Sequence, residues 1–302
     1  MCETPLPFLY AIHGLTISSD IPCSELQPGA GTPDVRLRYG TVPRHLDAPR
    51  AAGVLFEATR DSYLLCIDGI ARYWARSGRE IVVDPAPNAT RADVHTFLFG
   101  SVFSALLHQR GGLVLHAGGA VGRRGAVLVA GHSGHGKSTV LAALAKRGYR
   151  ILTDDAAAIV LDESDRLMVQ SGSPQLMLWA DAVAQLGHQA EPLSRVRPGI
   201  EKYTIDVRSQ FKAGPQPLAA LYVLETHGGN GVEVERVQHS ACFDAVCAQT
   251  RNFRVVEGLG MQLAHFKIAA AIAARIPVSR VRRPSDRNSL DEIVTSVDEA
   301  LQ

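Results

Sequence analysis

The first part of the chain alternates short apolar runs with turn-forming residues. Runs typical of β-strands cover residues 8–12, 35–39, 54–58, 63–67, 70–75 and 80–83. Asp68-Gly69 and Ser77-Gly78 lie between or beside such runs, and pairs of this kind favour tight hairpin turns. A proline-containing stretch at 85–88 interrupts the pattern. We therefore predict a small β-rich N-terminal domain over residues 1–88.

From residue 89 onward, strand-like runs alternate with segments of helical periodicity. Helical spacing covers 91–109, 180–186, 240–250 and 258–275, and strands are predicted at 113–116, 150–153, 156–161, 167–170, 218–225, 232–237 and 277–281. Ser289 and Glu292 have the spacing of a capping box, which predicts a last helix ending at Leu301. These elements predict a second domain, residues 89–302, with an α/β core in a chain that is α+β overall.

A glycine-rich motif lies in the first quarter of the second domain. Residues 131–138 read G-H-S-G-H-G-K-S and match G-x-x-x-x-G-K-[ST], with an apolar strand before them and a helix after them. Glycines allow successive N–H groups to point at phosphate oxygens, and the helix N-terminus adds positive partial charge. The motif predicts binding of a nucleoside triphosphate such as ATP.

Each residue of the loop has an expected task. Lys137 is expected to reach the β and γ phosphates and Ser138 to ligate Mg²⁺, with Thr139 as a second hydroxyl. The side chains of His132 and His135 are expected to face solvent. The predicted nucleotide-contacting residues are Gly131, Ser133, Gly134, His135, Gly136, Lys137, Ser138 and Thr139.

Two adjacent carboxylates follow the next strand. Asp154 and Asp155 come directly after 150–153, at the carboxyl end of a strand beside the glycine-rich loop. Ligands bind at that edge of an open α/β sheet. One carboxylate can hold Mg²⁺ while the other accepts the proton of an attacking hydroxyl, which are the groups that phosphoryl transfer requires. The pair therefore favours catalysis over simple nucleotide binding.

Composition and charge indicate which partners and which cellular compartment to expect. The formal net charge of the 302 residues is +1, so nothing indicates nucleic acid or an anionic membrane as a partner. The five cysteines include no C-x-x-C pair, which favours a reducing compartment over a disulfide framework or a zinc site. Residues 1–20 do not read as a signal peptide, and no run of eighteen apolar residues occurs. A soluble, cytoplasmic protein is expected, and an oligomer is compatible with the sequence.

Several segments together resemble a known family. Residues 113–116, 126–139 and 148–155 resemble the HPr kinase/phosphorylase fold family, with its histidine before the loop and its paired aspartates. The whole chain is similar to the HPr-kinase-like proteins of lasso-peptide biosynthesis, through Pro174-Gln175-Leu176, Leu178-Trp179, Lys202, His265-Phe266, Pro277-Val278 and Arg283-Pro284. The resemblance implies an HPr-kinase/PEP-carboxykinase-like sheet with flanking helices.

The resemblance also implies roles for particular residues. Asp154, with His116 behind it, is implied as the base, and Asp155 as the metal contact. Apart from the resemblance, the sequence favours a core histidine bonded to backbone at position 116. The family's E-x-R-G-L-G segment is absent, since the comparable residues 198–202 read P-G-I-E-K, which removes support for phosphorylase activity and for HPr as substrate.

A polar segment follows the predicted short helix. Residues 191–200 contain two prolines and no periodicity, which predicts a mobile loop over the active site. Arg195, Arg197 and Lys202 are candidate contacts to substrate phosphate or to the transition state. For the two arginines, plain solvated charge is an equal alternative.

Three functions are consistent with these features. The leading hypothesis is an ATP- and Mg²⁺-dependent kinase that phosphorylates a hydroxyl, most plausibly a serine of a peptide or protein. The resemblance implies the C-terminal residue of a lasso precursor peptide as that acceptor. A kinase of a small hydroxylated metabolite is the second hypothesis. The third is a regulatory nucleotide-binding module that transfers phosphate to no acceptor.

Overall fold

The chain folds into two compact units with mixed helices and sheets. The computed structural model describes residues 7–187, 193–238, 240–285 and 288–302. One unit comprises Met1–Gly111 with Asn252–Gln262, and the other comprises Gly112–Arg251 with Leu263–Gln302. The prediction of an α+β chain is confirmed.

A mixed sheet forms the centre of the first unit. The strands lie in the order β3-β1-β2-β4-β9-β8-β7-β6-β5, in which β4 is parallel to both of its neighbours and the other pairs are antiparallel. Alternation along the strands buries one face, as in β8, where Ala71, Tyr73 and Ala75 point into the core. The strands are β1 Phe8–Ile12, β2 Leu15–Ser19, β3 Gln27–Pro28, β4 Val35–Tyr39, β5 Ala51–Ala52, β6 Phe56–Ala58, β7 Ser62–Ile67, β8 Ala71–Arg76 and β9 Glu80–Pro85.

Helices complete the core of the first unit. They are α1 Arg91–Phe97, a π-helical turn Leu98–Val102, α2 Phe103–Gln109 and, from later in the chain, α6 Phe253–Leu259. The Thr90 side chain caps α1 by accepting a hydrogen bond from the N–H of Asp93 at 3.1 Å. Phe103 and Leu259 share one core with the buried face of the sheet. Residues 91–109 therefore belong to the first unit, whereas the sequence placed the domain boundary at 88–89.

The second unit is built on a central sheet and a small accessory sheet. The central order is β10-β14-β15-β19-β12-β11-β13, with β21 beside β19 and β20 beside β21. Strand β19 runs parallel to β12 and to β21. In the accessory sheet the strands lie in the order β16-β18-β17. The strands are β10 Leu113–Leu115, β11 Ala117–Gly122, β12 Gly125–Gly131, β13 Arg150–Thr153, β14 Ala157–Leu161, β15 Leu167–Val169, β16 Gln175–Trp179, β17 Ser194–Arg195, β18 Lys202–Asp206, β19 Gln216–His227, β20 Glu233–Arg236 and β21 Val278–Pro284.

Helices cover both faces of the central sheet. They are α3 Lys137–Lys146, α4 Ala180–Gln185, α5 Ser240–Ala248, α7 Gln262–Arg275 and α8 Leu290–Leu301, with a 3₁₀ turn at Arg208–Gln210. On β12, Leu128 lies in one core with α5 and α7, while Val127 and Val129 lie in the other with α3 and α8. Alternate residues of a strand point to opposite faces, so the glycine-rich loop emerges from a strand buried on both sides.

The structure differs from the predicted elements at several places. The helix predicted over 258–275 is two helices, separated at Gly260, whose φ of +71° ends α6. The strands that were not predicted include β2, β11 and β18. Of the predicted loop 191–200, Glu191 and Pro192 lie outside the described residues, and Ser194–Arg195 pairs with β18.

Two further findings concern single helices. Ser289 is the N-cap of α8, but its side chain makes no capping hydrogen bond, so the predicted capping box is not formed. No helix within the described part of the chain is long and apolar enough to cross a membrane.

Candidate active site

The glycine-rich loop connects β12 to α3 through backbone conformations that favour glycine. Gly134 and Gly136 have φ angles of +85° and +92°, and Gly136 is the N-cap of α3. Gly131 also tolerates no Cβ, which would lie 2.7 Å from the carbonyl oxygen of Leu224. The predicted strand and helix on either side of the motif are both present. The loop thus has the strand–turn–helix context that an anion-binding nest requires.

The Lys137 ammonium is held over the loop. Its Nζ donates to the carbonyl oxygens of Gly131 at 2.8 Å and His132 at 3.0 Å, and it lies 3.0 Å from Nε2 of His116. The residue is 6% exposed. Burial lowers the pKa of Lys137 to about 8, although the charges of Asp155 and Asp154 act in the opposite direction. Lys137 is therefore still mostly cationic at neutral pH and is fixed in place before any phosphate arrives.

Asp154 faces the hydroxyl of the loop. Its Oδ1 accepts from Ser138 Oγ at 2.9 Å and from the N–H of Asp155 at 3.0 Å, while Oδ2 accepts from the N–H of Met177 at 2.9 Å. Burial raises the pKa of Asp154, and the hydrogen bond from Met177 opposes that shift. A serine hydroxyl and a carboxylate in contact are hard oxygen donors of the kind that Mg²⁺ prefers.

Asp155 faces a different set of partners. Its Oδ2 accepts from Arg251 Nη1 at 2.8 Å, and its Oδ1 lies 3.4 Å from Nδ1 of His116. Burial alone would raise the pKa of Asp155, but the charges of Arg251, His116 and Lys202 outweigh it and lower the pKa to about 2. Asp155 is therefore ionised throughout the physiological pH range.

His116 joins the lysine to the second carboxylate. Nε2 lies 3.0 Å from the Lys137 ammonium and Nδ1 lies 3.2 Å from Arg251 Nη1, so each ring nitrogen faces a group that can only donate. Nδ1 lies 3.2 Å from the carbonyl oxygen of Asp155. Burial, with the charges of Lys137 and Arg251, lowers the pKa of His116 to about 4 despite the opposing charge of Asp155. The sequence predicted a contact between His116 and Asp154; the structure places His116 against Asp155 instead.

The donor set fits a magnesium ion bound together with a nucleotide. Among the residues that the structure describes, no group of three or more His, Cys, Asp or Glu side chains is arranged to hold a metal ion. Mg²⁺ in phosphoryl-transfer sites needs no such group, because one or two protein oxygens suffice and substrate phosphates and waters complete the octahedron. Ser138 and Asp154 supply two such oxygens at the end of the phosphate loop.

A cavity of about 250 Å³ opens beside these groups. His116, Lys137 and Asp155 line it in contact with one another, and Lys202, whose charge acts on Asp155, lines it as well. The full lining is His116, Ser133, Gly134, His135, Gly136, Lys137, Ser138, Thr139, Val140, Asp155, Met177, Leu178, Trp179, Asp181, Ala182, Gln185, Lys202, Arg283, Asn288, Ser289, Leu290 and Ile293.

The predicted substrate contacts divide into two groups. Lys202 lines the cavity and lies 5.9 Å from the centre of the Trp179 ring. Arg195 and Arg197 are not among the lining residues, and Arg195 is half exposed and paired with Glu201 at 2.7 Å. Within the described residues, then, only the lysine of the three is brought to the site.

His135 also differs from its prediction. The ring is half-buried, and its Nδ1 lies 2.9 Å from the carbonyl oxygen of Leu224, so it does not simply face solvent. His132 is exposed, as predicted.

Arg251 is the site residue that sequence reasoning missed. It follows α5, and its N–H donates to the carbonyl oxygen of Val114 at 2.8 Å, which ties it to the strand that ends beside His116. Thr250 forms a bridge with Leu115 in the same register. The sequence offers no motif for the contact between Arg251 and Asp155, because the two residues are 96 positions apart.

Comparison with solved structures found similar folds, whereas comparison at the level of sequence found none. No protein-family model matches the chain, and a search of curated proteins found no match. The fold is similar to the structure of the HPr(Ser) kinase/phosphatase from Coxiella burnetii, with a TM-score of 0.36 and 16% sequence identity over 62% of this chain and 88% of that one. At this TM-score the likeness carries no argument, so function has to be inferred from the residues of the chain itself.

Proposed function

We propose that the chain is an ATP-dependent kinase that phosphorylates a hydroxyl group in the cytoplasm. The observation that carries the proposal is that the two adjacent carboxylates have different contacts. Asp154 contacts the loop hydroxyl of Ser138 at 2.9 Å, while Asp155 faces the cavity. A module that only binds a nucleotide needs the first carboxylate and has no use for the second.

The roles proposed for the carboxylates exchange those expected from the sequence. Asp154 and Ser138 would hold Mg²⁺, which when bound neutralises phosphate charge and orients the β and γ oxygens. Asp155 is the carboxylate within reach of an acceptor in the cavity, and geometry decides between candidate bases before pKa does. Its low pKa keeps it ionised, so it can orient the acceptor hydroxyl.

Transfer would then proceed with little covalent participation by the protein. The acceptor oxygen forms a bond to the γ phosphorus while the bond from that phosphorus to the ADP oxygen breaks. The hydroxyl proton passes to Asp155 as the new bond to phosphorus forms. Lys137 stabilises the negative charge on the β and γ oxygens. Neutral His116 contacts both Lys137 and Asp155 and holds them in position.

The acceptor proposed is a serine of a peptide. Resemblance to the lasso-peptide HPr-kinase-like proteins supports the C-terminal residue of a precursor peptide, and the β-rich first unit is a candidate for presenting it. A small hydroxylated metabolite is the second candidate, but no feature of the cavity favours it over a peptide side chain.

The test is transfer of label from γ-labelled ATP to defined acceptors. The purified full-length chain is incubated with Mg²⁺, ATP and peptides that end in serine, threonine or alanine. We expect labelling of the serine peptide and its loss in Lys137→Ala and Ser138→Ala, with circular dichroism unchanged. Lys202→Ala tests the cavity lysine, and Arg195→Ala is its matched control outside the cavity. ATP binding without transfer to any hydroxyl compound would favour the regulatory module instead.

A further inference from the structure

The start of α8 contains a buried hydroxyl without a partner. Ser289 is 4% exposed, and its Oγ has no hydrogen-bond partner among the residues that the structure describes. The capping role expected for it is taken by Asn288, whose Oδ1 accepts from the N–H of Leu290 at 3.0 Å. Buried polar atoms are nearly always paired, so an unpaired one lining a cavity marks a place where a ligand atom completes the network.

Ser289 lines the part of the cavity that is formed by the start of α8. Gln185, near the end of α4, donates from Nε2 to Asn288 Oδ1 at 2.7 Å and so joins α4 to the start of α8 on this side. Ala182 and Ile293 are buried apolar residues that also line the cavity. An apolar wall with a few convergent polar groups at its edge is the usual form of a small-molecule site.

The direction of the phosphate chain indicates which part of the donor reaches this part of the cavity. In phosphate loops the lysine contacts the β and γ phosphates, and the backbone of the loop cradles the α and β phosphates. The γ phosphate therefore lies toward Lys137 and Asp155. Thr139 and Val140, in the first turn of α3, line the same cavity beyond Ser138. The nucleoside, which is attached to the α phosphate, is therefore expected to extend away from Asp155.

The size of the cavity supports the same assignment. Its volume is about 250 Å³. That is close to the lower limit of small-molecule pockets, about 300 Å³.

We infer that the part of the cavity between α4 and the start of α8 binds the nucleoside of the phosphate donor, with Ser289 Oγ hydrogen-bonded to it and Ala182 against its ring. The inference rests on the proposed function, because it takes the phosphate loop as the site of a nucleoside triphosphate. It assigns recognition of the donor to α4 and α8, two elements outside the phosphate loop and the paired aspartates.

Two probes separate the nucleoside from the phosphates. Isothermal titration calorimetry measures binding of Mg·ATP and of Mg·tripolyphosphate, which has the phosphates and no nucleoside, to the full chain and its variants. Ser289→Ala removes the hydroxyl, and Ser296→Ala, on the same helix but outside the cavity lining, is its control. Ala182→Met fills the cavity, and Ala184→Met, on the exposed side of α4, is the control.

Selective loss of ATP affinity is the expected result. Ser289→Ala should raise the Kd of ATP about fivefold, the effect of one neutral hydrogen bond, and Ala182→Met about tenfold through steric overlap. Tripolyphosphate affinity should change less than twofold in both, as should ATP affinity in the controls.

Other outcomes overturn the inference or the proposed function separately. Unchanged ATP affinity in Ser289→Ala, or equal losses for ATP and tripolyphosphate, excludes the nucleoside from this part of the cavity. A wild-type chain that binds neither probe contradicts the proposed function itself. Should Ala182→Met not fold, Ser289→Ala with its Ser296→Ala control still decides the matter.

Discussion

Removing the Arg251 guanidinium should destabilise the second unit, and only while Asp155 is ionised. Arg251 Nη1 donates to Asp155 Oδ2 at 2.8 Å and to the Asp155 carbonyl oxygen at 3.0 Å. Both side chains are mostly shielded, with 18% of the arginine and 23% of the aspartate exposed. Arg251→Gln keeps much of the volume and some hydrogen bonding but removes the charge.

The magnitude follows from the pKa of Asp155. That pKa is 3.8 in the absence of the fold and about 2 in the structure. At about 1.4 kcal/mol per pKa unit, ionised Asp155 is stabilised by about 2 kcal/mol, and Arg251 is the largest favourable contributor. Because the folded pKa is the lower one, this stabilisation is complete well above the unfolded pKa and is lost as pH falls through the folded pKa.

Urea unfolding at two pH values measures the effect. Arg251→Gln should lower the free energy of unfolding by about 2 kcal/mol at pH 7 and by roughly half as much at pH 3. The control is Arg275→Gln, since Arg275 pairs with Asp165 at 2.6 Å while both side chains are at least half exposed. An exposed pair of this kind is worth at most about 1 kcal/mol. The reasoning is refuted if both variants are equally destabilised at pH 7, or if the loss in Arg251→Gln is the same at both pH values.

Three further predictions follow from the same site. Lys137, with a pKa of about 8, should take up about half a proton when ATP binds at pH 8, and the affinity for ATP should fall as the pH rises through that value. Calorimetry in buffers of different ionisation enthalpy measures the proton uptake. The uptake should vanish in Lys137→Ala. Asp154→Asn should raise the Mg²⁺ requirement of transfer, whereas Asp155→Asn should lower the rate about 10²- to 10⁴-fold at saturating Mg²⁺ with ATP affinity nearly unchanged; the reverse pattern would restore the roles expected from the sequence. Gly118→Ala should cost about 1–3 kcal/mol of stability and weaken Mg²⁺ binding, because its Cβ would lie 2.2 Å from a side chain of α3 and 3.2 Å from Asp154 Oδ1. Gly228→Ala is the control, since Gly228 has open space around it. An equal melting temperature for the two variants would contradict the close approach at Gly118.

What the sequence predicted well was local. The phosphate loop and the paired aspartates each lie within a few residues of the strand that presents them, so periodicity and turn chemistry were enough to place them at one sheet edge. Strand β11 escaped prediction because Ala117-Gly118-Gly119-Ala120 has neither alternation nor β-branched residues. Its glycines are explained by tertiary structure, since a Cβ at Gly119 would lie 2.8 Å from Leu128.

What the sequence did not predict depends on distant parts of the chain. Arg251 reaches Asp155 only because its backbone is bonded to Val114. The start of α8 approaches α4 through Gln185 and Asn288, which are more than a hundred residues apart. The capping-box pattern at Ser289 predicted the helix correctly and its hydrogen bond wrongly, because Asn288 caps the same end and leaves the serine hydroxyl to the cavity.

The different tasks proposed for two consecutive aspartates have a simple origin in the backbone. Asp155 has a φ of +67°, a left-handed conformation that aspartate tolerates better than most residues. The turn is held by the N–H of Ala156, which donates to the Asp154 carbonyl oxygen at 2.8 Å, and by Thr153 Oγ1, which donates to the Ala156 carbonyl oxygen at 2.7 Å. In an extended strand consecutive side chains would point to opposite faces of the sheet. The left-handed residue turns the second carboxylate toward the cavity instead, so Asp154 reaches Ser138 while Asp155 stays open to an acceptor.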